Sequence, residues 1–281
     1  MNGWTTIVVA TALAAAGSSG VEATVHFMQI EQVIGGVNGD TSAQAVQLRM
    51  RSPLQNGLGG AKLWVHDAAG ANPVLLIDFT TSVPSGAPGA RVLITSAAFN
   101  QETTPAALPD FTLANLIPES YLPAGSMTFE NDSGLTIFWR LSWGGDDYTG
   151  STLGACTNDD SPCPGSGEFG PPWPGPLPSD GVQALQFQGP FNAPSTNNAD
   201  DYELTSGPSV WVNNAGANFA LLDSELCPWD CGGGVDGDVG IVDFLALLAE
   251  WDLVDTPCDF DGGGVGIVDF LKLLANWGPC L

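Results

Sequence analysis

Short runs of alternating apolar and polar residues, punctuated by Gly, Pro and Asp, fill the chain from Thr24 to about Leu222. Runs of this kind predict β-strands with one face buried. Residues 25–34 form the first and stop at Gly35-Gly36. Ala45–Met50 turns Val46, Leu48 and Met50 to one side, and Gln47 and Arg49, continued by Arg51, to the other. Residues 61–65, Val74–Phe79, Arg91–Thr95 and residues 127–129 follow. The nearly unbroken apolar run Val74–Phe79 predicts a central strand. Residues 135–143 have the clearest period of two: Leu135, Ile137, Trp139, Leu141 and Trp143 share one face, with Thr136, Phe138, Arg140 and Ser142 opposite. Residues 182–188 and Val210–Val212 complete the set. No amphipathic helix is expected before residue 240, so residues 24–222 are expected to form a mainly β, sandwich-type domain.

The period changes in the tail. Residues 239–251 (VGIVDFLALLAEW) recur as residues 265–277 (VGIVDFLKLLANW), and only Ala246/Lys272 and Glu250/Asn276 differ. In each copy a Phe, two Leu and a Trp stand at i, i+3, i+4 and i+7: Phe244, Leu247, Leu248, Trp251, and Phe270, Leu273, Leu274, Trp277. That spacing predicts a helix with one apolar stripe. Neither short helix buries a stripe alone, so the two are expected to pack on each other across a pseudo-two-fold axis, with all eight residues in the core. Gly278-Pro279 ends the second helix.

Each helix follows a loop of Gly and Asp, the composition of a calcium-binding loop. An EF-hand loop supplies oxygens from positions 1, 3, 5, 7, 9 and 12 and carries Gly at position 6. Placing Asp243 at position 12 puts Asp236 at 5, Gly237 at 6 and Asp238 at 7, but leaves Gly232 and Gly234 at positions 1 and 3. Asp230 reaches such a site only through a loop two residues longer. In the second copy Asp259, Asp261 and Asp269 match positions 1, 3 and 12 of a loop one residue short, with Gly263 at position 5. The alternative is a disulfide-held helical hairpin in which these Asp residues cap helices and turns.

Composition narrows the class. Lys plus Arg number 6 against 31 Asp plus Glu, a formal charge of −25 over 281 residues. Such a surface repels nucleic acid and anionic membrane and attracts cations. It suits either a solubilising coat or calcium use. Six cysteines fit an oxidising compartment. Cys227, Cys231, Cys258 and Cys280 lie in the tail, where duplication sets Cys231 roughly opposite Cys258 and leaves Cys227 and Cys280 flanking the unit. Pairing within those two sets is expected. The tail has neither CxxC spacing nor His, which argues against zinc. At the N-terminus, residues 4–16 are apolar but short for a membrane span, and Val21-Glu22-Ala23 offers a cleavage site. Residues 1–23 are therefore expected to be a signal peptide, giving a secreted or cell-surface protein with no membrane insertion after cleavage. Residues 144–180 form a long Gly/Pro-rich insertion enclosing Cys156 and Cys163, and Asp146-Asp147-Tyr148 at its start reads as a solvated turn or a cation or sugar site.

Two family resemblances extend these expectations. The whole of residues 227–281, with its paired Asp-rich loops each leading into Val-Asp-Phe-Leu, resembles the type I dockerin module. The resemblance implies calcium as cofactor, held by Asp230, Asp236, Asp238 and Asp243 and by Asp259, Asp261 and Asp269. It also implies docking through the helices onto a cohesin-like or cell-surface partner, with two nearly equivalent binding faces. More diffusely, FMQIEQVI (residues 27–34), VQLR (46–49), LPAG (122–125) before Phe129, ALQF (184–187) and TNNADDYEL (196–204) resemble strands and turns of lamin-tail-like domains. That resemblance implies an immunoglobulin-like, non-catalytic sandwich for residues 24–222, followed by the dockerin-like unit at 223–281.

No motif marks catalysis. Neither His26 nor His66 belongs to an HExxH or triad pattern, and GxSxG is absent. Glu130 with Asp132, or Asp146 with Asp147, would suit glycoside hydrolysis, but paired acids in an acidic chain are ordinarily turn residues. The expected function is a non-enzymatic binding or structural protein. The alternative is a carbohydrate-active enzyme or carbohydrate-binding module, for which Trp143, Tyr148 and Trp173 would line a groove with acids beneath.

Overall fold

The computed structural model describes residues 25–131, 136–153, 169–193, 196–222, 228–232 and 238–279. The expected signal peptide, Cys156, Cys163, Cys227, Cys280, Asp132 and the candidate ligand Asp236 lie outside them. Among the described residues no helix is long and apolar enough to cross a membrane.

In chain order the body contains β1 (Met28–Ile34), β2 (Ala45–Met50), β3 (Ala61–His66), β4 (Val74–Phe79), β5 (Arg91–Thr95), β6 (Thr103–Thr104) and β7 (Phe111–Thr112). There follow β8 (Gly125–Asn131), β9 (Ile137–Trp143), β10 (Leu185–Phe187), the single helical turn α1 (Asn198–Asp201), β11 (Tyr202–Leu204), β12 (Val210–Val212) and β13 (Asn218–Leu221). One sheet has the order β11-β10-β1-β2-β5-β7 and a second the order β4-β3-β8-β9. Their facing sides enclose the main core, with Ile30, Val46, Leu48 and Val92 from the first against Leu63, Met127, Phe129 and Trp139 from the second. The body is mainly β and sandwich-like, as the alternation predicts.

Three details differ from expectation. Among the described residues Val74–Phe79 is an edge strand, paired only with β3. Its apolar run is explained by partial burial of Val74 and Leu75 at the rim rather than by neighbours on both sides. The β8 strand is longer than residues 127–129, and a register shift opposite Phe129/Glu130 adds Phe138 to the core beside Trp139. A bulge of this kind breaks the period of two, so Phe138 turns inward despite its place in the alternation.

The third difference concerns the polar face of β2. A small sheet, β12-β13-β6, packs Trp211, Phe219 and Leu221 against Ile34, Ala45, Leu93 and Ala184, on the opposite side of the six-stranded sheet. Gln47 therefore does not face open solvent, and Val212 N donates to its Oε1 at 2.6 Å. Arg49 and Arg51 are covered by other residues, the first lying over the Phe191 ring and the second over the Phe27 and Trp139 rings. Gln47 and Arg51 are buried, and Arg49 joins a network centred on Glu31, which is 2% exposed. Glu31 accepts from Arg91 Nε at 2.7 Å, from Arg49 at 3.0 Å and from Gln47 Nε2 at 2.9 Å. Burying a carboxylate is tolerable only with such partners.

The tail has β14 (Asp238–Val239), α2 (Ile241–Ala249), α3 (Ile267–Ala275) and β15 (Gly278–Pro279). Its core joins Val239, Leu247, Cys258, Val265 and Leu273, with Phe244 and Phe270 partly buried against them. The duplication is repeated in the backbone pairing. Val239 pairs with Gly278 just after α3, and Val265 exchanges hydrogen bonds with Asp252 N and Leu253 O just after α2.

Candidate functional site

The two Asp at the third position of the tail helices do the same local work. Asp243 Oδ2 accepts from Gly240 N at 2.8 Å and Asp269 Oδ2 from Gly266 N at 2.9 Å, each satisfying a free amide at a helix start. Their other oxygens reach back into the preceding loops, to Gly232 N and Phe260 N, both at 2.9 Å. This correspondence sets Gly232 against Phe260, and hence Cys231 against Asp259. The first loop is the longer by two residues, and it places a cysteine where the second has an acid.

Among the described residues, Asp259, Asp261 and Asp269 bring one carboxylate oxygen each within 4.8 Å of one another. Asp259 Oδ2 accepts from Asp255 N at 3.2 Å and Gly264 N at 3.1 Å, whereas its buried Oδ1 has no hydrogen-bond partner. An orphaned carboxylate oxygen beside two further carboxylates is the donor set of a hard divalent cation. Of the first-loop residues, Asp230 is buried, Asp238 is exposed and Asp243 is buried on its two amides. Asp236 is not described, and no such convergence of three acids involves Asp230, Asp238 and Asp243 among the described residues.

The two helix positions that differ between the copies support the segment carrying Asp259. Lys272 Nζ donates to Phe260 O at 3.1 Å, and Glu250 Oε2 accepts from Cys258 N at 3.1 Å. In the first copy Ala246 takes the place of Lys272. It lies so close to Gly232 that a Cβ on that glycine would stand 2.7 Å from the Ala246 methyl. The first loop is thus packed onto its helix, whereas the second is held by a cation and a carboxylate. Cys231 and Cys258 form a disulfide that joins the two loops, with Cα atoms 5.2 Å apart, as the duplication predicts.

The helix surfaces overturn one expectation. Leu247 and Leu273 are fully buried, and Phe244 meets Phe270 with ring centroids 5.8 Å apart. Leu248, Trp251, Leu274 and Trp277, expected in the core, are 46%, 39%, 45% and 49% exposed. The contact between two nine-residue helices covers only one side of each, and the i+4 and i+7 positions fall on its flank. Ile241, Val242 and Leu245, with their counterparts Ile267, Val268 and Leu271, extend the exposed surface around each helix.

The other candidate groups are placed differently. Trp143 is fully buried with Nε1 on Tyr121 O, and Tyr148 is buried with its hydroxyl on Ser151 O. Trp173 is partly buried and lines a cavity with Leu122, Leu177 and Leu204. Asp146 and Asp147 are exposed in a single 3-10 turn. Glu130 accepts from the Thr128 hydroxyl at 2.5 Å, and His66 Nε2 lies 3.3 Å from the same hydroxyl. Burial raises the Glu130 carboxyl above its usual range, with the Thr128 bond opposing. Thr128 itself is fully buried, and His66 is half-buried. Comparison with protein families, curated proteins and solved structures gives no match to the chain.

Proposed function

We propose that this is a secreted, non-enzymatic modular protein in which an immunoglobulin-like, lamin-tail-like sandwich is attached to a partner through a dockerin-like tail organised by calcium. The observation that carries the proposal is the matched exposure of apolar residues on the duplicated helices. Ile241 and Ile267 are both 60% exposed, Leu245 and Leu271 both 57%, and Leu248 and Leu274 46% and 45%. Two equivalent sets of large apolar side chains in water are costly unless a partner covers them. Calcium at Asp259, Asp261 and Asp269 would fix the loop that starts α3 and so the angle at which its face is presented. The residues of the first loop, Asp230, Asp236, Asp238 and Asp243, are proposed as a second, differently built site.

The partner expected is a cohesin-like module. A biosensor panel of cohesin modules tests this with the full chain in calcium and in chelator. Binding in calcium, its loss in chelator, retention by Ile241→Asp or Ile267→Asp alone and loss in the double variant support two equivalent docking faces. Absence of binding to every module, or binding unaffected by the double substitution, contradicts them.

A further inference from the structure

The tail has little core to hold it. Among its described residues the buried apolar side chains are Val239, Leu247, Cys258, Val265 and Leu273, and Cys258 is itself half of a disulfide. A unit of this size with so small a core needs a covalent or metal staple to stay folded. The tail offers one of each, and both fall on the same few residues. Fully buried Cys258 directly precedes Asp259, whose buried Oδ1 has no hydrogen-bond partner and which converges with Asp261 and Asp269.

The disulfide joins the two helix starts. On one side Cys231 precedes Gly232, whose amide donates to Asp243 Oδ1, and Asp243 Oδ2 accepts from Gly240 N where α2 begins. On the other, Cys258 and Asp259 precede Phe260, whose amide donates to Asp269 Oδ1, and Asp269 Oδ2 accepts from Gly266 N where α3 begins. Cys231 stands where the second loop has Asp259. The bridge therefore runs from the place of a metal ligand in one loop to the neighbour of a metal ligand in the other. The remaining ties of this segment are local: Cys258 N donates to Glu250 Oε2 and Asp259 N to Thr256 O. Neither reaches the first loop.

We propose that the Cys231–Cys258 disulfide is a redox switch for calcium at Asp259, Asp261 and Asp269: reducing the bridge lowers the calcium affinity of the tail, and calcium resists the reduction. This rests on the calcium reading of the second loop. With the bridge closed, Asp259 is held near its binding position before the ion arrives. With it open, part of the population loses the small core, and apparent affinity falls with the folded fraction. Linkage requires the same factor in both directions. The reductant is a dithiol. Its thiolate attacks the partly exposed Cys231 sulfur, and Cys258 leaves as a thiolate and is protonated. The second thiol then closes the mixed disulfide, releasing Cys231 as a thiol and the dithiol as its cyclic disulfide. Two electrons and two protons pass to the bridge. At calcium concentrations between the two affinities, reduction dissolves the helix faces that carry Ile241 and Ile267.

Two measurements on the full chain test the coupling. Calorimetric titration with calcium compares the wild type with Cys231→Ser/Cys258→Ser, which removes this bridge alone, and binding at least about tenfold weaker is expected in the variant. Separately, the wild-type chain is equilibrated with dithiothreitol at graded ratios of reduced to oxidised form, in saturating calcium and in chelator. Alkylation and peptide mass then read the Cys231 and Cys258 thiols. Calcium is expected to raise the ratio needed for half-reduction by a comparable factor. This second measurement uses no variant, so it decides the coupling even where the double substitution prevents folding. Equal calcium affinities, or a half-reduction ratio that calcium leaves unchanged, would overturn the switch while leaving calcium binding in place. Absence of calcium binding by the wild-type chain would overturn the calcium reading and the switch with it.

Discussion

Phe244 and Phe270 meet with ring centroids 5.8 Å apart across the pseudo-two-fold of the tail. This one contact orients both helices. It places Leu247 and Leu273 inward and leaves Leu248 and Leu274 in water. Leu247→Ala or Leu273→Ala should cost about 3 kcal/mol, as expected for a buried leucine. Leu248→Ala or Leu274→Ala should change stability by no more than about 0.5 kcal/mol. Urea denaturation followed by amide exchange in α2 and α3 checks the contrast. The reverse ranking would show that the helices pack by the other flank.

The Cys231–Cys258 disulfide closes a segment with a sequence separation of 27. Constraining a loop of that length stabilises by about 3.5 kcal/mol through the unfolded chain. The double variant Cys231→Ser/Cys258→Ser should lose stability of that order in the tail alone, leaving the unfolding of the body unchanged. Calorimetric unfolding measures both together.

Glu31 tests the polar layer between the sheets. Removing its charge by Glu31→Gln leaves Arg49 and Arg91 facing a neutral group, with Arg49 only 16% exposed. A cost of about 3 kcal/mol is expected for breaking such a buried pair. Asp78→Asn, which removes the outlying Lys62–Asp78 pair at 3.7 Å, should cost less than about 0.5 kcal/mol. Equal losses in the two variants would contradict the buried placement of Glu31.

His66 makes the stability pH-dependent. Burial, and then the Arg140 guanidinium, hold its imidazole below the usual value of 6.5, with Asp67 opposing. The unfolded chain therefore takes up the proton first. The contribution of His66 to stability is complete above about pH 6.5 and is lost as the pH falls through the lower, folded value. His66→Gln should flatten the profile of melting temperature between pH 7 and pH 5. An unchanged slope would place the titrating group elsewhere.

Much of the body was legible because its strands obey a period of two. Ala45–Met50, Arg91–Thr95 and Val210–Val212 appear with the bounds their alternation predicts. Thr103–Thr104 and Phe111–Thr112, which were not foreseen, are too short for a period to register. The third sheet could not be read from β2, since Gln47 and Arg49 have the same pattern whether water or a buried network lies beyond. In the tail the duplication revealed the symmetry and the disulfide. The apolar spacing did not reveal which flank is buried, because Ile241, Leu245 and Leu248 form a second stripe as regular as the first. The unequal support of the two loops rests on Lys272 and Glu250, whose reach to Phe260 O and Cys258 N depends on tertiary placement.

Calorimetric titration of the full chain with calcium, beside the variant Asp259→Asn/Asp261→Asn, tests the organisation of the tail most directly. A saturable heat, a rise in the melting temperature of the tail, and an affinity at least tenfold weaker in the variant are the expected results. No heat and no change in melting, or identical binding by the variant, would contradict a calcium-organised docking unit and leave the tail a disulfide-held helical hairpin.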